Sequence, residues 1–248
     1  MSDRAVLSIT GNDRLEFLQG LLTNDVTKPG LIYAALLSPQ GKYLVDFFVL
    51  ARDGAFLIDV SAGLSADLIK RLSMYRLRAD VQISQTEINV TRGTGAAPEG
   101  AYADPRHAEL GWRSYDGAEP GKADWDALRV AHLIPETGIE LIPNETYILE
   151  VGFEALNGVD FRKGCYVGQE VTARMKHKTE LRKGLARVVL TGKTKEGEVQ
   201  AGDEITAQDK PIGVLHTISG DKALAYLRFD RATGTMQAGD AELRLDTK

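Results

Sequence analysis

Phe161-Arg162-Lys163-Gly164-Cys165-Tyr166-Val167-Gly168-Gln169-Glu170 is the most informative stretch of this 248-residue chain. Two glycines four positions apart flank the only cysteine. That spacing implies a tight backbone excursion that a ligand or a second chain could approach closely. A single thiol excludes an intrachain disulfide, a CxxC redox pair, a Cys-rich zinc site and a chain-contained four-thiolate cluster. It leaves three uses: a nucleophile, a redox sensor, or one ligand of a centre that another molecule completes. Arg162 and Lys163 place positive charge beside the sulfur and would favour its thiolate. Glu170 either opposes this or pairs with Arg174 four residues on. The residues alone leave two readings open, a functional Cys165 and a structural turn holding a buried thiol.

Working outward, Ala5 to Ile9 reads as a strand, and Gly11-Asn12-Asp13 offers turn and capping chemistry. Leu15, Leu18 and Leu22 recur at helical spacing, with Phe17 and Leu21 widening the stripe. Ile32 to Leu37 and Tyr43 to Leu50, joined through Ser38-Pro39-Gln40-Gly41, form a hairpin pattern. Ala55 to Val60 is a third strand. Ser61 can cap a helix whose apolar face is Leu64, Leu68, Leu72 and Tyr75. Val81 to Ile83 and Ile88 to Val90 read as further strands, and Asp124 to His132 as a helix. This order predicts an α+β fold with helices on one face of a sheet. Beyond Lys183 short strands at Leu185–Leu190, Glu204–Ala207, Ile212–Ile218 and Ala223–Phe229 alternate with Gly, Asp and Lys turns. They predict a small all-β barrel or sandwich. The expected domains are residues 1–180 and 181–248.

Several functional classes fall away. No apolar run approaches the roughly 18 residues of a membrane span, and the first residues lack the pattern of a secretory signal. The expectation is a cytoplasmic protein. The four histidines are dispersed, and no HExxH, GxSxG, Walker A or GxGxxG pattern occurs. A net charge of −5 argues against general nucleic-acid coating. Residues 162–187, however, hold eight basic and two acidic side chains, +6, which leaves −11 for the rest. That window is either a solvated surface or a local anion site, such as one for tRNA.

Lys163-Gly164-Cys165-Tyr166-Val167-Gly168-Gln169-Glu170 closely resembles the KGCYxGQE signature of the folate-binding family related to the glycine-cleavage T-protein. Its members are the bacterial YgfZ proteins and their mitochondrial counterparts, which help mature iron–sulfur proteins. Phe17 to Val26 (FLQGLLTNDV) resembles the family's N-terminal segment, and Leu37 to Lys42 with Asp46-Phe47-Phe48 its hairpin. Leu128-Arg129-Val130 and Ile142-Pro143-Asn144-Glu145 fall where the family has an Arg-containing helix and a P-x-E segment. The likeness spans about residues 5 to 190.

The resemblance implies a folate-binding α+β body followed by a small C-terminal β-barrel, with tetrahydrofolate as cofactor. A pterin edge suits a carboxylate and its ring an apolar wall. Asp46 and Glu145 are the expected edge partners, Tyr166 and Phe47 the expected walls, and Arg129 a further binding residue. Cys165 becomes the reactive thiolate, or one ligand of a bridging iron–sulfur cluster shared with a carrier or client protein. Gly164 and Gly168 shape the loop, while Gln169 and Glu170 would hold it by hydrogen bonds. Departures from the T-protein pattern weaken a transferase reading. Val45-Asp46 stands where T-proteins carry two adjacent acids, and Ala131 stands at their folate-contacting glutamate. The alternatives are a folate-dependent aminomethyl or one-carbon transferase using Asp46, and a tRNA-modification accessory protein.

Overall fold

The computed structural model describes residues 3–178, 180–191 and 199–246. The chain forms two compact units, each discontinuous in sequence. The first comprises residues 1–123, 143–145 and 153–173. Its strands are β1 (Arg4–Thr10), β2 (Leu31–Leu37), β3 (Tyr43–Arg52), β4 (Ala55–Ser61), β5 (Gln82–Gln85), β6 (Thr91–Gly93), β7 (Tyr102–Ala103) and β8 (Trp112–Ser114). Its helices are α1 (Arg14–Gln19) and α2 (Ser65–Arg76). An antiparallel sheet in the order β2-β3-β4-β1-β5 is its frame, and β6-β8-β7 form a second sheet.

Strand alternation sorts the frame's two faces. Leu7, Ile9, Ala34, Leu36, Val45, Phe47, Val49, Ile58 and Val60 pack with Leu18 and Leu22, and with Leu68 and Leu72 of α2, into one apolar core. Phe47 is fully buried in that core, so it is not the ligand wall expected from sequence. The opposite face carries Tyr33, Asp46, Phe48 and Asp59, paired across strands as Tyr33↔Phe48 and Phe48↔Asp59. Replacing Phe47 by Ala should cost about 3–5 kcal/mol, the usual range for emptying a buried aromatic site.

The second unit comprises residues 124–142, 146–152 and 174–248. Within it lie α3 (Trp125–His132) and a closed barrel of β9 (Lys183–Thr191), β10 (Glu204–Ala207), β11 (Lys210–Ser219), β12 (Lys222–Arg228), β13 (Met236–Ala238) and β14 (Ala241–Leu245). A further helix, α4 (Gln169–Lys178), runs from the end of the first unit into the second. Asp124 caps α3 by accepting from the Ala127 N–H at 2.9 Å. Compactness thus assigns α3 to the barrel's unit, whereas a boundary at 180/181 puts it with the body.

Several local expectations differ from the structure. Leu15 does not join the core; it is 43% exposed, because α1 is too short to keep a continuous stripe. Ser61 does not cap α2 with its side chain; a 3-10 turn, Ala62–Leu64, intervenes. The strand expected at 88–90 sits at Thr91–Gly93 instead.

Candidate functional site

Segments far apart in sequence are laced together under the cysteine loop. The Lys163 Nζ donates to the carbonyls of Gln19 at 2.8 Å and Leu22 at 2.5 Å, just past the end of α1. Thr23 Oγ1 donates to the Gly158 carbonyl at 2.7 Å, and the Asp160 N–H donates to the Thr23 carbonyl at 3.0 Å. The Asn24 amide bridges the carbonyls of Tyr33 and Asn157. Lys28 pairs with Asp160 at 2.6 Å, and Asp160 receives the Arg162 N–H at 2.7 Å. The Leu-Leu-Thr-Asn run and the stretch leading into the cysteine are therefore a single hydrogen-bonded unit.

Lys163 sits over the Tyr166 ring at 5.2 Å. Burial lowers its pKa to about 8, against the pull of Asp25 and Asp160. Its ammonium is thus an anchor for the loop, a role different from the sulfur-activating one expected from adjacency. Tyr166 is buried, and its hydroxyl, beside Thr172, has no hydrogen-bond partner among the described residues. Burial raises its pKa to about 12. Gly168, at φ +83°, packs against the β2–β3 turn, where an added Cβ would lie 2.6 Å from the Ser38 carbonyl oxygen and 3.1 Å from the Gly41 Cα. Gly41, at φ +74°, has Val171 equally close to its missing Cβ. Gln169 contributes its backbone N–H to the Tyr166 carbonyl at 3.2 Å, and Glu170 is exposed in the first turn of α4. Backbone crossing at Gly168 and the Lys163 anchor contribute to loop closure, beyond the side-chain hydrogen bonds of Gln169 and Glu170 expected from sequence.

Against this anchored surround, Cys165 is exposed, and nothing lies within 4 Å of a Cβ built on Gly164. The buried-thiol reading does not hold.

Asp46 lies mid-strand in β3, nearly buried, with Tyr33 donating to one carboxylate oxygen at 2.9 Å and Tyr43 to the other at 2.8 Å. Burial, and then the Asp46 charge, push the Tyr33 pKa well above its ordinary value. The Tyr33 ring packs on Phe48 and Phe153 at 5.3 and 5.0 Å. Tyr33 also lines a cleft of about 250 Å³ with Asn24, Lys28, Pro105 and Asn157. That is below the roughly 300 Å³ at which small-molecule pockets begin.

Beside Tyr33 runs a buried ionic network that sequence reading missed. Asp104 holds Arg106 through both its Nε, at 3.0 Å, and its Nη2, at 2.8 Å. Arg113 bridges Asp104 at 3.3 Å and Asp59 at 3.1 Å, and Arg4 completes Asp59 at 2.6 Å. The guanidinium groups of Arg113 and Arg106 lie 3.8 and 4.9 Å from the Phe48 ring centroid. Burial pushes the Asp104 carboxyl up, but Arg106 and Arg113 outweigh it and bring its pKa to about 2.

Glu145 is exposed, and its backbone carbonyl accepts from Lys42 Nζ at 2.7 Å. Arg129 belongs to the second unit. There it donates to Glu140 at 2.5 Å, Asp126 at 2.9 Å and the Ile134 carbonyl at 3.2 Å, while Glu140 also takes the Thr217 hydroxyl at 2.7 Å. Arg129 therefore ties its helix to β11. Of the expected binding residues, Asp46, Glu145 and Tyr166 fall in the first unit and Arg129 in the other. Among the described residues no group of three or more His, Cys, Asp or Glu is arranged to hold a metal ion.

Residues 182–248 match the family model described as the CAF17 C-terminal beta-barrel domain. The mitochondrial iron–sulfur cluster assembly factor IBA57 of mouse is 29% identical, over 99% of this chain and 81% of its own length. The human protein of the same name is also 29% identical, covering 98% and 80%. The solved structure of the glycine cleavage system aminomethyltransferase T from Bartonella henselae superposes with a TM-score of 0.76 at 14% identity, over 99% of this chain and 83% of that one. At that identity the likeness establishes the fold. The cytoplasmic expectation does not stand, because these named relatives are mitochondrial. It rested on the lack of a membrane span and a secretory signal, and neither bears on an organellar address. The family resemblance read from the sequence is upheld: the mouse and human relatives of this chain are IBA57 iron–sulfur assembly factors, its fold is that of the T-protein, and its residues 182–248 match the CAF17 barrel.

Proposed function

We propose that the protein is an accessory factor for the assembly or repair of iron–sulfur proteins, with Cys165 as the single thiolate it offers to a cluster. The observation that carries this reading is the contrast within one loop. Lys163, Tyr166 and Gly168 are fixed by anchors and packing, while Cys165 and Gly164 are left facing solvent. The named relatives support the same role. A cluster needs several ligands and this chain has one thiol, so a carrier or client must provide the others. The step is ligand addition without net redox. The Cys165 thiolate would replace one exchangeable thiolate at an iron of the cluster, the released thiolate would take up the proton the Cys165 thiol gives up, and the partner's other thiolates would keep the remaining sites. The test is anaerobic mixing with a cluster-loaded carrier protein. A visible-absorbing complex of the two chains that Cys165→Ser abolishes is expected, and its absence with wild type overturns the reading.

Tetrahydrofolate is proposed as a ligand of the first unit through Asp46. The support is chemical: Asp46 is a carboxylate held in place by the hydroxyls of Tyr33 and Tyr43, the kind of group that suits the N–H edge of a pterin. Bound there, the folate would supply a one-carbon carrier. Arg129 is engaged by Glu140 and Asp126 and is not included. Asp46→Asn should weaken tetrahydrofolate binding in titration calorimetry, and equal binding would remove Asp46 from the proposal. The transferase alternative has less support, because the residue next to Asp46 is Val45. The tRNA alternative rests on the +6 window, where Lys163 is engaged by carbonyls and Arg187 by Asp246.

A further inference from the structure

In the first unit the large apolar side chains exposed among the described residues are Leu15, Met74 and Leu77, and all three lie on or beside α1 and α2. Met74 is 59% and Leu77 88% exposed. On α2 the core face is Leu68 and Leu72. Lys70 and Met74 lie one turn apart on the opposite side of α2, and Leu77, the residue that ends the helix, is exposed directly after it, so the three form a stripe outside the core. Arg76 and Arg78 flank Leu77 in the chain, and among the described residues neither they nor Lys70 has a carboxylate partner. The neighbouring acids are otherwise engaged: Asp67 pairs with Arg71, and Asp80 receives Asn12 and Gln82.

Leu77 is also held at φ +45°, a conformation costly for a branched side chain. An apolar residue that is almost fully exposed and backbone-strained gains nothing for the fold by being leucine.

The stripe is connected to the cysteine loop. Asp13 and Asp80 exchange hydrogen bonds at the N-terminal end of α1, two residues beyond Arg78. Lys163 is anchored on Gln19 and Leu22 at the other end. Six helical residues span about 9 Å. A standard protein interface of about 800 Å² per partner is several times wider than that.

We propose that this basic, apolar-centred surface is the dock for an acidic protein partner, the one that shares its cluster with Cys165. The partner presents an apolar side chain to Met74 and Leu77 and carboxylates to Lys70, Arg76 and Arg78. The inference rests on the proposed assembly function but makes a separate demand, contact without a cluster. The test is calorimetric binding of the full chain to a cluster-free carrier protein of pI below about 5, at low and at raised salt, since the Debye length falls from about 10 Å at 0.1 M to about 3 Å at 1 M. Wild type and Cys165→Ser should bind alike. Lys70→Glu with Arg78→Glu should weaken binding at least about tenfold and flatten its salt dependence. Leu77→Gly should weaken it without lowering the melting temperature, because glycine accepts the positive φ. Unchanged affinity in both variants overturns the dock and leaves the cluster-bridged complex standing on its own assay. No binding of the cluster-free carrier to wild type also overturns the dock. Loss of binding to phosphatidylglycerol vesicles in these variants, with carrier binding intact, reassigns the surface to lipid and overturns it too.

Discussion

Gly168→Ala and Gly164→Ala place the same methyl group at two positions of one loop, and the structure predicts very different outcomes. At Gly168 the backbone has φ +83°, which costs an L-residue about 1–2 kcal/mol. The new Cβ would also meet the Ser38 carbonyl oxygen at 2.6 Å and the Leu37 Cβ at 3.0 Å. Both are parts of the β2–β3 hairpin, which cannot rotate away as a flexible side chain could. Overpacking of this kind adds about 1–3 kcal/mol. The expected loss is about 2–5 kcal/mol, a large fraction of the roughly 5–15 kcal/mol of a typical domain. Gly164 has nothing within 4 Å, and its substitution should stay within about 0.5 kcal/mol. Urea unfolding followed by the fluorescence of Trp112 and Trp125 measures both, with the slope of the transition checked for constancy. Equal midpoints for the two variants would refute the crossing of the cysteine loop over the hairpin.

Three more expectations follow from the same interior. Asp104 has its pKa lowered from 3.8 to about 2, so its stabilisation is fully present above the unfolded value and is lost as pH falls through about 2. The shift corresponds to roughly 2–3 kcal/mol, and Asp104→Asn should lose at least that much at pH 7, because it removes the carboxylate that Arg106 and Arg113 share, while flattening acid unfolding below pH 4. Acid unfolding curves identical to wild type would contradict the Arg106–Asp104–Arg113 network. The Lys163 amine should titrate near pH 8 by NMR of the reductively methylated protein, because burial disfavours its charge; a value near 10.5 would mean the side chain is in water. Arg129→Lys should destabilise the barrel's unit, because a lysine cannot reproduce the forked contact with Glu140 and Asp126; an unchanged melting profile would contradict that assignment.

How far the sequence could be read depends on the range of each interaction. The frame's strands were legible from alternation, since Ile32 to Leu37 and Tyr43 to Leu50 lie within β2 and β3. The barrel strands were legible from evenly spaced turns, with Glu204–Ala207 falling as expected. The helix begun by Gln169 was not, because its residues read as a charged surface and its start is set by Gly168 against the hairpin. The anchor of Lys163 spans 141 and 144 residues to backbone carbonyls, which leave no mark in local pattern. Adjacency in sequence suggested that Lys163 serves the sulfur, whereas the fold turns the ammonium toward Gln19 and Leu22. Arg129 was placed by resemblance in a ligand role, yet its neighbours Asp126 and Glu140 are the partners that hold it. Asp104, Arg106 and Arg113 meet Asp59 only because β8 and the preceding loop lie over the frame, a tertiary fact that no spacing rule carries.

The most direct measurement is complementation of a strain lacking this protein by wild type and by Cys165→Ser, reading the activity of a [4Fe–4S] dehydratase under oxidative stress. Variant abundance is measured in the same cells; because Cys165 is exposed and its loop is anchored by other residues, the serine variant should accumulate normally. A dehydratase that stays inactive with normally abundant Cys165→Ser is the predicted result. Full restoration by the serine variant would contradict a role for the thiol in iron–sulfur assembly.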